Sequence, residues 1–98
     1  MKINKKQDGS KLVIALEGRL DTTTAPELES EIKSTLDGVT ALTFDLAKLD
    51  YISSAGLRVL LLAQKTMNRQ GKMKLIKASE IVREVFDVTG FSDILTIE

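Results

Sequence analysis

The 98-residue chain contains no cysteine and no histidine. Without thiols it can form no disulfide framework and no zinc–thiolate site, and it has no thiol nucleophile. Without imidazole it lacks the commonest general base and the commonest metal ligand, so Ser-His and Cys-His catalysis are both excluded. We therefore expect a protein that is not an enzyme.

Net charge is also absent, because 14 basic side chains balance 14 acidic ones. A neutral chain has no general field that attracts polyanions, so nonspecific nucleic-acid binding is not expected. The longest apolar runs are short, as in Val59–Ala63, whereas a membrane helix needs about 20 residues. No apolar signal core follows the basic start of the chain. The expectation is a cytoplasmic protein without membrane insertion.

The residues that are present have ordinary globular proportions, with 43% hydrophobic and 29% charged. This composition argues against disorder, and the length suits one domain over residues 1–98 with a modest core.

Hydrophobic periodicity predicts an α/β fold. Strands are expected at 2–7 (a polar edge strand), 10–17 (apolar on both faces), 39–46, 72–77 and 94–97, and helices at 24–37, at 54–70 and after Ser79. A strand, a helix and a strand within about 40 residues imply a right-handed parallel crossover. The predicted architecture is a small mixed β-sheet of four to five strands with three to four helices packed on it.

Capping residues mark the predicted helix ends. Thr24 and Glu27 are spaced as a capping box, and Ser79 is placed to cap the third helix. Gly90 is expected to end that helix in a left-handed conformation. The side chains predicted to face the core from this helix are Ile81, Val82, Val85 and Phe86.

The segment Leu49–Leu60 lies between the end of a strand and the start of a helix, where functional loops of α/β sheets gather. It places Ser53 and Ser54 beside the positive end of the helix dipole, which tolerates an anion. A phosphate on Ser54 would therefore leave the helix intact and change only the surface. The alternative is structural, because serine is a favoured N-cap residue.

The second predicted helix offers a further surface. A helical wheel places Leu57, Leu60, Leu61 and Met67 on the core face. Val59 is expected to be buried by neighbouring helices. Leu62 is either buried with it or partly exposed as an apolar anchor rimmed by Arg58, Lys65 and Arg69, and we favour exposure.

Four segments in order resemble the STAS domain family, and specifically its bacterial anti-sigma-factor antagonists. They are Gly18–Asp21, Phe44–Leu46, Asp50–Leu60 and Val85–Phe91. The resemblance spans nearly the whole chain. One departure is Ser53, because the family's sporulation member has Asp immediately before its phosphoacceptor.

The resemblance implies an unphosphorylated form that binds an anti-sigma factor that is also a serine kinase, which releases a sigma factor. The kinase would phosphorylate Ser54, with Ser53 as second choice, and a serine phosphatase would reverse this. No cofactor or metal is implied. The expected partner-binding residues are Asp21, Ser53, Ser54, Ala55, Gly56, Arg58 and Leu62.

Two other functions stay open at this point. The chain could be an accessory subunit of a transporter or lipid-transport complex, or a module that binds a small anion or nucleotide through the same loop. Asp45 and Asp50 are expected to be solvated loop carboxylates, since no further acidic pair or partnering lysine identifies a metal site. Ser54 has neither the flanking glycine nor the histidine of a hydrolase nucleophile.

Overall fold

Four strands and three helices follow one another in the computed structural model, which describes all of residues 1–98. The strands are β1 (Lys2–Asp8), β2 (Lys11–Leu20), β3 (Ala41–Ile52) and β4 (Lys72–Ile76), and the helices are α1 (Ala25–Thr35), α2 (Ser54–Asn68) and α3 (Glu80–Thr89). They form one sheet of order β1-β2-β3-β4. β1 pairs antiparallel with β2, and the other pairings are parallel. This is the mixed sheet that the sequence predicts.

One face of the sheet carries the core. Leu12, Ile14 and Leu16 of β2 are buried and belong to a single apolar cluster to which all three helices contribute. The opposite face is open, and Val13 on it is 37% exposed. The expectation that this strand is buried on both faces is therefore wrong, because the helices cover only one side.

β3 is longer than predicted and continues from residue 46 to Ile52. Its register against β2 shifts twice, between Ala15 and Glu17 and again between Gly18 and Arg19. Each shift adds one residue to β3, so the buried side chains after the first bulge recur every third residue: Leu46, Leu49 and Ile52. That spacing hides the strand from a search for alternation, and it places Asp45 and Asp50 within the strand, not in a loop.

The predicted helix ends differ in accuracy. Ser79 caps α3, since its Oγ accepts a hydrogen bond from the Val82 N–H at 3.2 Å, and Gly90 ends the helix with φ +80°. The capping box at α1 is wrong: the Thr24 side chain does not cap the helix. Its hydroxyl instead donates to the Arg19 carbonyl at 2.8 Å.

Two further expectations about the C-terminal region are corrected. Ile81 is 63% exposed, because α3 buries only Val82 and Phe86 fully. The predicted last strand is reduced to one parallel bridge between Leu75 and Ile97, after a 3-10 turn at Phe91–Asp93. No helix in the structure is both long and apolar enough to cross a membrane.

Candidate functional site

The candidate site lies where β3 ends and α2 begins. Ser53 N–H donates to the Leu20 carbonyl at 2.9 Å, which joins this junction to the end of the parallel strand β2. The Ser53 Oγ accepts from the Gly56 N–H at 3.4 Å, and its backbone conformation is extended, as an N-cap requires. Ser53 is therefore the structural cap of α2.

Ser54 is the first residue of α2 and is exposed. Its hydroxyl makes no hydrogen bond to any other group of the chain. The free N–H groups of the first turn and the positive helix end surround it, so a negative group placed there is electrostatically favoured. The structure thus separates the two serines that the sequence left as alternatives: one caps the helix and the other is free.

Gly56 allows α2 to approach the sheet closely. A Cβ on this residue would lie 2.6 Å from Leu20 Cγ and 2.9 Å from Ile52 Cγ1. Both contacts are far shorter than van der Waals separation, so only glycine fits here without movement of the core. Gly56 is buried, and its contribution to any partner surface is to set the position of the exposed residues before it.

Asp21 lies at the same edge as Ser53 because the two parallel strands end side by side, with Leu20 opposite Ile52. Its Oδ1 accepts from the N–H groups of Thr23 and Thr24 at 3.0 and 3.2 Å. Desolvation raises the pKa of Asp21, but these backbone hydrogen bonds, the Thr24 hydroxyl and the Arg19 charge together lower it below its usual value. Asp21 is thus an ionised, oriented carboxylate at the rim of the site.

Two residues that the sequence did not single out complete this rim. The Arg19 guanidinium lies 4.3 Å above the centre of the Tyr51 ring, and its Nε is 3.7 Å from Asp21 Oδ2. Both side chains are exposed and come together only because the second bulge of β3 puts Tyr51 opposite Arg19. The only sequence signal was an aromatic residue next to the motif, which does not reveal its cation–π partner.

The α2 face next to the site agrees in part with the wheel. Arg58 is exposed, and Val59 is buried as expected. Leu61, predicted to face the core, is only half-buried. Leu62 is also half-buried and lines a groove between α1 and α2 whose charged residues are Lys33 and Asp37. The predicted rim of Arg58, Lys65 and Arg69 does not line that groove, because α1 approaches Leu62 from the other side.

The remaining acidic residues form no metal site. Asp45 Oδ1 accepts from the Ala47 N–H at 3.0 Å on the open face of the sheet, and Asp50 is exposed in the second bulge. No group of three or more potential metal-ligating side chains occurs in the structure. The chemistry available at the site is that of an exposed hydroxyl at a helix end, flanked by an oriented carboxylate and two arginines.

A small mixed sheet with an exposed serine at the start of α2 defines the class of domain, and comparison with known proteins identifies it. The STAS domain model matches residues 2–98, and the chain belongs to this family. It is 38% identical over 99 residues to the BtrV protein of Bordetella bronchiseptica, covering 99% of this chain and 85% of that protein. It is 32% identical over 97 residues to the anti-sigma-B factor antagonist of Listeria monocytogenes, covering 96% of this chain and 84% of that protein.

Solved structures show the same fold. The chain resembles the unphosphorylated form of the anti-sigma factor antagonist SpoIIAA, with a TM-score of 0.86 and 21% identity over 99% of this chain and 88% of the other. The phosphorylated form of the Bacillus cell fate determinant SpoIIAA matches with a TM-score of 0.77 and 20% identity, over 99% of this chain and 91% of that one. At these identities the likeness supports the fold alone, and it confirms the predicted family architecture.

Proposed function

We propose that this protein is an anti-sigma-factor antagonist of the bacterial cytoplasm, which binds an anti-sigma factor and is switched off by phosphorylation of Ser54. The observation that carries the proposal is the free, exposed hydroxyl of Ser54 next to a neighbouring serine that already caps the helix. The name of the Listeria relative supports the same function.

The proposed partner surface surrounds this hydroxyl. Ser53, Ser54 and Ala55 form its centre, Asp21 and Arg58 its charged rim, and the half-buried Leu62 extends it along α2. Gly56 supports it from below. A partner that covers Ser54 can bind the uncharged hydroxyl, while the ionised Asp21 and the exposed Arg58 offer opposite charges that orient it.

Phosphorylation would act on binding without unfolding the domain. The Ser54 Oγ attacks the γ-phosphorus of ATP, its proton passes to a base of the kinase, and ADP leaves. The product adds roughly −1.5 to −2 charge at a helix start that tolerates an anion. A partner lying on this surface would then have to desolvate a dianion, which costs affinity.

Arg58 is positioned to strengthen the switch. It follows Ser54 by four residues on α2, the spacing at which side chains of a helix meet, and it forms no salt bridge in the structure. A phosphoserine at position 54 can pair with this guanidinium. The partner would then lose a free cation as well as meeting new negative charge. A phosphatase that removes the phosphate restores the binding surface.

The test is reconstitution with the anti-sigma factor kinase encoded in the same genome. Intact-mass measurement after incubation with ATP and Mg²⁺ should show one added phosphate on the wild type and on Ser53→Ala, and none on Ser54→Ala. Calorimetric titration should show that Ser54→Ala binds the kinase and that Ser54→Asp binds at least tenfold more weakly. Modification of Ser54→Ala, or unchanged binding by Ser54→Asp, would contradict the proposal.

A further inference from the structure

The outer edge of β4 is only partly covered. β4 is the last strand of the sheet, and beyond it the chain end makes a single bridge, in which Leu75 N–H donates to the Thr96 carbonyl at 2.8 Å and Glu98 N–H donates to the Leu75 carbonyl at 2.9 Å. Next to this bridge lies a groove of about 460 Å³. It runs along Gly71–Lys74 and is bounded by the second half of α2 and the chain end.

The strand backbone in this groove has unused hydrogen-bonding groups. Lys72 N–H donates to the Thr40 carbonyl on the β3 side at 2.9 Å. Successive residues of a strand point their peptide groups to opposite edges, so Met73 presents its N–H and C=O outwards, as Leu75 does. No bond from outside the sheet reaches the Met73 peptide groups. Unpaired groups of this kind on an edge strand are a template for a further strand.

A second unsatisfied group lies on the helix side of the same groove. Gln64 is only 8% exposed, and its Oε1 accepts no hydrogen bond. Its Nε2 donates to Asn68 Oδ1 at 2.9 Å. A buried amide oxygen without a partner is costly, and the terminal amide torsion is soft enough to turn the oxygen towards a donor in the groove.

The charges of β4 specify what would pair there. Lys72 and Lys74 alternate with the buried Met73, so both project from the open face of the sheet. Lys72 has no acidic partner, and Lys74 has only Glu98 at 3.7 Å. An added strand would place the residue opposite Met73 towards Gln64, and its two neighbours towards the lysines.

We propose that the free half of β4 binds an extended acidic segment of a partner protein by strand addition, with the pattern acidic–donor–acidic. The two carboxylates would pair with Lys72 and Lys74, and a Ser or Thr hydroxyl between them would donate to Gln64 Oε1. This groove is at the far end of α2 from Ser54, about 20 Å along the helix axis. It is therefore a second binding surface, separate from the proposed switch.

The test uses a synthetic peptide, acetyl-Val-Glu-Ser-Glu-Val-amide, titrated to about 5 mM into the ¹⁵N-labelled full chain, a range that detects millimolar dissociation constants. The expected result is saturable shifts confined to the amides of Gly71–Lys74 and the side chains of Gln64 and Asn68. The analogue with Lys in place of both Glu residues should bind at least about tenfold more weakly. Absence of saturable shifts at the groove, or equal binding of the Lys analogue, would overturn the proposal.

Matched variants separate this surface from a general effect on folding. Gln64→Met keeps the volume and removes the unsatisfied oxygen, so it should weaken the peptide at least about fivefold without lowering the melting temperature. Lys72→Gln should weaken the peptide, whereas Lys65→Gln on the exposed face of α2 should not. Ser54→Asp should leave the titration unchanged, so failure of either proposal is recognised independently. Groove shifts that appear on raising the protein concentration alone would mean that the edge pairs with a second copy, which also overturns it.

Discussion

The division of labour between Ser53 and Ser54 makes the sharpest stability prediction. Replacing an N-cap serine by alanine usually costs about 0.5–2 kcal/mol. The Ser53 Oγ to Gly56 N distance of 3.4 Å is at the long end of such bonds. We therefore expect Ser53→Ala to lose about 0.5–1 kcal/mol, which corresponds to a melting temperature about 2–8 °C lower in a domain of this size.

Ser54→Ala should behave differently. The side chain is exposed and makes no hydrogen bond, and alanine is the best helix former, so we expect a change below about 0.5 kcal/mol. Ser54→Asp adds a negative charge at the positive helix end and should be neutral or stabilising by about 0.3–1 kcal/mol.

Thermal and urea denaturation followed by circular dichroism measure all of these variants. Ser53→Asp is the matched control, because aspartate is an equally good N-cap residue and should restore the stability that Ser53→Ala loses. If Ser54→Ala proves as destabilising as Ser53→Ala, or if Ser53→Asp fails to restore stability, the assignment of cap and free serine is refuted. A strongly unfolded Ser54→Asp would also remove the basis for a phosphate that acts only at the surface.

Three further predictions concern the scaffold of the site. Gly56→Ala should destabilise the domain by about 1–3 kcal/mol in urea denaturation, because the new Cβ would lie 2.6 Å from Leu20 Cγ. Gly71→Ala should be at least as damaging by the same assay, since its Cβ would lie only 1.9 Å from the rigid Thr40 carbonyl oxygen. For Asp21, the lowered pKa in the folded state means that the unfolded chain binds more protons. Stability should therefore be full above about pH 4 and fall as pH drops through the folded pKa. Asp21→Asn should show a shallower loss over that acidic range when stability is measured against pH; an unchanged slope would contradict this.

The proposed site was largely predictable because its chemistry is local. A pair of serines before an apolar helix after a strand predicts an N-cap and an anion-tolerant helix end from spacing alone. Which serine caps was not predictable, because both residues have the same side chain. The extended backbone of Ser53 and its bond to the Leu20 carbonyl decide it, and that bond joins residues distant in the chain.

The errors have related causes. β3 was cut short at residue 46 because two bulges replace alternation by a three-residue spacing of buried side chains. The Arg19–Tyr51 contact was missed for the same reason, since the second bulge brings these residues opposite each other. Ile81 and Val13 were expected inside because apolar patterns do not show whether a second layer exists to cover them.

The amino-acid sequence by itself determined the order of strands and helices, most of the core, the family and the position of the exposed serine. Each of these depends on periodicity, capping or a local motif, which nearby residues control. Only the tertiary structure decided which sheet face is open, where Asp21 and Arg19 lie relative to Ser53, and that the edge of β4 keeps unpaired polar groups. Those features arise from the parallel register and from one-sided helix packing, which bring together residues separated by many positions in the chain.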